Sequence, residues 1–271
     1  MAIDLDTLKF LLHLKLSLVD KHVLTIGRME WYAGKTGIRV LNRKLNTNFA
    51  PTKHAEFVFA ALGSKKIDSL DFSTYEGATI EHDLNTKIPE ELQNTFDLVL
   101  DAGSLEHVYD CQQGIFNYMK MCKVGGSLVL VLPTNNQMGH GFYQFSPEFF
   151  YRTLCEAQGF KVVEMLLRTG NGFGKWFEIK DPKEIGARQE IRTFTRTMLF
   201  IHAVKINDIS VYGPPIQSDY DIASGVGDIS KWGHRYFGSP PVIQFWIRLL
   251  ILKPRNRILS RMRMRRIHLS Y

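Results

Sequence analysis

Several carboxylates and glycines in this chain fall at the ends of short apolar runs, at a spacing that suits the capture of a nucleoside. Gly27 closes the run 22–26, Asp71 closes 66–72, Asp83 stands at the end of 78–84, and Asp101, Ala102 and Gly103 end the run 96–101. If each run is a strand of an open parallel sheet, these residues share the carboxyl edge, where such sheets bind ligands. A carboxylate offers two acceptor oxygens in a fork that matches a ribose diol. Asp71, followed by Phe72, is therefore assigned to the ribose, with Asp68 as second choice. Asp83 is assigned to the exocyclic amino group of an adenine, with the backbone N–H of Leu84 as the neighbouring donor. Ala102 and Gly103 are small enough for the backbone to approach a ligand closely. Acids at strand ends also serve as turn and capping residues; the sequence order of these four sites favours binding.

Three further residues carry groups that handle protons. His107 follows the fourth run, and His140 and Tyr143 follow the fifth, in a segment bounded by Gly139. Histidine titrates near neutral pH, which suits a general base. The competing roles are a structural hydrogen bond for His107, and packing or substrate contact for His140 and Tyr143.

The elements that position these residues follow from the pattern. The runs 22–26, 66–72, 78–84, 96–101 and 127–132 are short and rich in β-branched residues and leucine, and they alternate with helix-like stretches. This predicts a doubly wound, mainly parallel α/β sheet. One helix is expected over 112–122, with Ile115, Phe116, Met119 and Cys122 on one face and Gly125-Gly126 ending it. Another starts at Ser146 as N-cap with Pro147 in its first turn, and continues through Phe150 and Leu154 to Gly159. The runs 161–167 and 198–204 predict an antiparallel hairpin closing the sheet, around an interval 169–196 read as a loop or lid. The early run 8–19 is interrupted by charge and reads as an N-terminal helix rather than a signal peptide.

These segments resemble the class I S-adenosylmethionine-dependent methyltransferases. The string HVLTIG resembles their first motif, DFS the second, EHDLN the adenine-side motif, FDLVLDAGSLEHV the fourth-strand motif and KVGGSLVLVLP the fifth. The resemblance covers roughly residues 20 to 165. It implies a seven-stranded Rossmann-like methyltransferase fold, S-adenosylmethionine as cofactor, and a cofactor site drawn from Gly27, Arg28, Glu30, Asp71, Phe72, Asp83, Leu84, Asp101, Ala102 and Gly103. The string GHGFYQFSPEFFY is similar to bacterial methyltransferase-like proteins of surface-polysaccharide biosynthesis, which implies a small-molecule or sugar-type acceptor. The chain departs from the family in its first motif: after Gly27 come Arg28, Met29, Glu30 and Trp31 in place of further glycines. Bulky Met29 and Trp31 are expected to narrow the site. Arg28 brings positive charge towards the sulfonium position, to be balanced by Glu30 or by the cofactor carboxylate. The alternative implied by this departure is a methyltransferase-like binding or regulatory protein without turnover.

Other chemistries lack their parts. The chain has no phosphate-binding GxxxxGK[ST] loop, no HExxH and no GxSxG. A nicotinamide-dependent dehydrogenase would share the fold, but Gly27 alone is thin support for a pyrophosphate turn. Cys111, Cys122 and Cys155 form no CxxC pair, so neither a disulfide framework nor a metal is expected, and a reducing, cytoplasmic compartment is the natural reading.

The net charge of +7 is localised: residues 231–271 hold ten Lys and Arg and no acid, which leaves 24 basic against 27 acidic residues in the remainder. Residues 1–206 are read as the methyltransferase-like domain and 207–271 as a linker with a basic, partly apolar extension. The apolar stretch 242–252 is too short to span a bilayer. Followed by six arginines, it suits either packing of Ile243, Trp246, Ile247 and Leu250 on the domain with the arginines solvated, or peripheral contact with an anionic membrane surface, ahead of nucleic acid. Salt-dependent vesicle binding that disappears on deletion of 242–271 is the measurement that checks the membrane contact.

Overall fold

Strand side chains alternate between two faces, and in this chain both faces are apolar. In β1 (His22–Ile26), Val23 joins one core cluster while Leu24 and Ile26 join the other. The same split separates Leu98 and Leu100 from Val99 in β4 (Phe96–Ala102), and Val129 and Val131 from Leu128, Leu130 and Leu132 in β5 (Cys122–Pro133). Strands buried on both sides must be covered by helices on both sides. The computed structural model, which describes residues 1–170, 174–209, 212–221, 233–237 and 266–267, has that arrangement. Helices α1 (Leu5–Leu14), α2 (Gly34–Leu45) and α3 (Glu56–Ala61) supply Leu8, Phe10, Leu41, Val58 and Phe59 to one layer. Helices α4 (Cys111–Met121) and α5 (Pro147–Thr153) supply Ile115, Tyr118, Met119 and Phe150 to the other.

The remaining strands are β2 (Lys66–Asp71), β3 (Ile80–Glu81), β6 (Phe160–Thr169) and β7 (Thr197–Lys205). Their spatial order is β3-β2-β1-β4-β5-β7-β6. The first five strands are parallel, and β7 runs antiparallel to both β5 and β6. The fold is therefore the doubly wound α/β sheet expected, closed by the expected antiparallel pair. Trp176–Glu178 extends the sheet beyond β6, and Arg266–Ile267 pairs with it. Ala187–Ile191 pairs in parallel with Gly233–Phe237. The interval 169–196 thus contains strand and a short helix, Pro182–Ile185, as well as loop.

Local chemistry explains where boundaries differ from expectation. The third run shrinks to Ile80–Glu81 because its ends are tied elsewhere: Thr79 exchanges hydrogen bonds with Ser69, and Asp83 Oδ1 accepts from Asn85 N at 2.9 Å in an Asx turn. Gly125 and Gly126 do not end α4. The chain passes from Met121 directly into β5, and both glycines lie within that strand. Ser146 caps α5 as expected, but the helix ends at Thr153, well before Gly159. The N-terminal helix begins earlier than 8–19, because Asp4 caps it by accepting from Thr7 N at 2.8 Å.

Among the described residues no helix is long and apolar enough to cross a membrane. The stretch 242–252 and the arginines at 255–265 lie outside the described residues.

Candidate functional site

The strand order reverses between β1 and β4, since the chain leaves β3 at one edge and re-enters the sheet on the far side of β1. A crevice opens at the carboxyl ends beside such a switch point. Here it is a cavity of about 220 Å³, lined by Gly27, Asp71, Phe72, Asp83, Leu84 and His107 together with Met1, His82, Asn85 and Ser104. Six of the residues singled out in the sequence thus converge on one cavity. A larger cavity, about 510 Å³, lies between the start of α5 and the segment 182–190, away from these strand ends. Its charged residues are already paired: Arg152 with Asp181, and Arg188 with Asp219.

Each lining residue is held by a specific contact. Gly27 has φ +74°, a conformation that favours glycine, and its N–H donates to Leu70 O at 2.6 Å. Ser104 Oγ donates to Ile26 O at 3.0 Å, which ties the end of β1 to the loop after β4. Asp71 Oδ1 accepts from Phe72 N at 2.7 Å, while Oδ2 has no partner among the described residues. Asp83 spends Oδ1 on Asn85, whose backbone N–H holds the carboxyl below its usual range; its Oδ2 is unspent. Buried Asn117 of α4 donates to Leu84 O at 3.0 Å and to Thr86 O at 2.7 Å, and so fixes the loop that carries Asp83 and Leu84.

The other expected residues sit differently. Asp68 is committed to His22 at 2.7 Å and Lys66 at 2.8 Å, which removes it as a ribose ligand. Asp101 is fully buried: it accepts from Ser104 N, Leu105 N and Tyr118 Oη at 2.8, 2.9 and 3.1 Å, and so braces the loop rather than facing the cavity. Ala102 and Gly103 also stay out of the lining, although Gly103, at φ +95°, lies over the Glu106 carboxyl. Arg28 does not approach the cavity; it donates to Glu56 at 2.7 Å and to Glu76 O at 2.9 Å. Glu30 pairs with Lys53 at 3.5 Å, and a hydrogen bond from Tyr32 keeps its carboxyl below the usual range. Met29 and Trp31 do not narrow the site. Met29 is buried in the core, and Trp31 packs edge-on against Phe57 at 4.9 Å. The residue that does narrow it is Met1, whose thioether side chain covers Gly27 so closely that a Cβ there would run into it.

Beyond Ser104, His107 borders the cavity and its ring centroid stands 5.3 Å from that of His140. Burial, and then the neighbouring His140, hold the His107 pKa below its ordinary value. Tyr143 donates its hydroxyl to Tyr109 O at 2.6 Å and is not in the lining, so it braces the loop. Sequence reasoning missed Glu106. This residue is fully buried, and neither carboxylate oxygen has a hydrogen-bond partner. Burial raises its pKa, and the nearby Asp101 raises it further; Asp101 is also raised by burial, but its three donors oppose that shift. The missed signal was a glutamate flanked by Leu105 on one side and by His107 and Val108 on the other, directly after an apolar strand.

No protein-family model and no curated protein matches this sequence. Among solved structures, a proposed methyltransferase of Bacillus halodurans C-125 is similar at 12% identity and a TM-score of 0.45, with 74% of this chain and 99% of that one covered. A 1,6-didemethyltoxoflavin-N1-methyltransferase of Burkholderia thailandensis, holding S-adenosylhomocysteine, is similar at 14% identity and a TM-score of 0.41, with coverages of 74% and 77%. An Aquifex aeolicus SAM-dependent methyltransferase is similar at 12% identity and a TM-score of 0.39, with coverages of 73% and 89%. At these values the likeness is one of outline, and the chemistry of this chain rests on its own cavity.

Proposed function

We propose that the cavity binds S-adenosylmethionine and that the chain transfers the methyl group to a small-molecule or sugar-type acceptor. The observation that carries this reading is the convergence of Gly27, Asp71 and Asp83 on one cavity at the switch point. The residues fit the group. Oδ2 of Asp71 and Oδ2 of Asp83 are unspent acceptors, suited to a ribose diol and to an adenine amino group. Phe72 is an exposed ring on the cavity, offering a face to a base. Gly27 offers no side chain against the amino-acid portion.

When bound, the cofactor supplies an electrophilic methyl carbon on a sulfonium, whose sulfur retains the electron pair of the broken bond while the acceptor sheds a proton. The chain's contribution is orientation and exclusion of water. His107 borders the cavity, and the burial that lowers its pKa favours the neutral imidazole, whose lone pair can take the acceptor's proton. The sugar-type acceptor is supported by the 139–151 string, whose Phe142 N donates to Glu106 O at 2.7 Å and so packs the segment beside His107.

Titration calorimetry with S-adenosylmethionine and S-adenosylhomocysteine tests the proposal, followed by a methyl-donor consumption assay with sugar-type acceptors. Binding of neither ligand refutes it. Binding without consumption favours a second reading, a ligand-binding protein without turnover. That reading is supported by a cavity smaller than the roughly 300–1,000 Å³ usual for small-molecule sites.

A further inference from the structure

Beside the nucleoside cavity lies a cluster of which the methyl-transfer reading uses His107 alone. Glu106 is wholly buried on the turn after β4, and both of its carboxylate oxygens lack a hydrogen-bond partner. An unpaired buried carboxylate is costly, and native chains rarely leave one without a compensating group. His140 Nε2 stands 3.5 Å from Glu106 Oε1. One ligand atom from each of Glu106, His107 and His140 can be chosen so that all three lie within 4.8 Å of one another. The backbone is shaped around this group. Gly141, at φ +77°, crosses Glu106 so closely that a Cβ would strike its carbonyl oxygen at 2.6 Å, and a Cβ at Gly103 would lie 3.3 Å from Oε1.

We propose that Glu106, His107 and His140 bind a divalent transition-metal ion. Four-coordinate ions with oxygen and imidazole ligands at about 2.0–2.1 Å require ligand atoms roughly 3.3 Å apart. The Glu106–His140 edge is already near that length, and the His107 ring stands beside that of His140, with centroids 5.3 Å apart. Two imidazoles and one carboxylate suit zinc, iron, cobalt or manganese rather than magnesium or calcium, which favour all-oxygen sites. The ion supplies the positive charge that the unpartnered buried carboxylate lacks. Three protein ligands leave coordination positions open, and His107 places them at the border of the cavity. If that cavity holds a methyl donor, which rests on the function proposed above, the ion would take an acceptor hydroxyl and favour its oxyanion, the released proton passing to solvent water because the His107 lone pair is then spent on the ion.

The test uses the full, untagged chain, stripped with a chelator and titrated with cobalt(II), with binding read by visible absorption and by calorimetry. The expected result is one cobalt ion per chain, with an absorption band of low-symmetry coordination that zinc abolishes. Glu106→Gln and His140→Ala should each weaken binding by at least about 10-fold, since losing an outer-shell partner alone costs about 10- to 100-fold. His13→Gln, on the opposite layer and paired with Glu164, should not. Glu106→Gln is nearly isosteric, and His140 lies on an exposed loop, so at least one variant keeps its circular dichroism. No stoichiometric cobalt binding by the wild type, or unchanged affinity in the folded variants, overturns the proposal. S-adenosylhomocysteine is titrated in parallel. Cobalt binding without nucleoside binding refutes methyl transfer alone, and the converse refutes the metal site alone.

Discussion

Replacing Asp71 by asparagine removes the charge proposed to grip the ribose while sparing the turn around it. In the wild type, Oδ1 already accepts from Phe72 N at 2.7 Å, so Oδ2 and one remaining lone pair of Oδ1 are left for two hydroxyls. Asparagine retains a carbonyl for Phe72 N and loses the anionic acceptor. Hydrogen bonds to a charged group contribute about 1.5–3 kcal/mol each. Because one oxygen is shared with the backbone, the two together are set at about 2–3 kcal/mol, which weakens the Kd roughly 30- to 140-fold. Titration calorimetry with S-adenosylhomocysteine measures this without turnover. Asp68→Asn is the companion variant: its carboxylate is spent on His22 and Lys66, so ligand affinity should stay within about twofold while stability falls. An Asp71→Asn protein that binds within threefold of wild type would refute the ribose assignment. So would an Asp68→Asn protein that loses affinity while Asp71→Asn does not.

Two further outcomes concern the scaffold. Tyr118→Phe removes one of three donors to buried Asp101 and should lower unfolding free energy by about 1–2 kcal/mol, read by denaturant titration; no change would show that Asp101 is not braced from α4. His202 is held neutral by burial, with its pKa lowered from 6.5 to about 4. The unfolded chain therefore binds a proton that the folded chain refuses. Stability is fully present above about pH 6.5 and is lost as pH falls towards about 4, by on the order of 3 kcal/mol. His202→Gln can keep the contact with Ser127 and should flatten that slope in urea melts at pH 4.5 and 7; an unchanged slope would assign the acid sensitivity elsewhere.

Strands buried on both faces were the most legible elements, because burial is written directly into composition. The run 22–26 has the expected bounds, and β7 extends 198–204 by only one residue at each end. The edge strand was less legible: polar exchanges between Thr79 and Ser69 and the Asp83–Asn85 turn determine its ends, and an apolar pattern does not report them. In the site, an acid at a strand end was visible, but the direction of its side chain was not. Asp71 and Asp83 reach the cavity, whereas Asp101, in an equivalent position, turns inward to three donors supplied by its own loop and α4. Glu106 was illegible for the opposite reason. The backbone at Gly103 and Gly141 lies against it, yet no sequence spacing places a loop more than thirty residues away, at His140, against it.

The Met1 side chain lying over Gly27 makes occupation of the floor an exchange. Whatever lodges an extended tail there must first evict the resident thioether. For the methionine-bearing ligand proposed above, the affinity would be the difference between two flexible, sulfur-bearing tenants, and the rate of filling would be bounded by how often the first swings out.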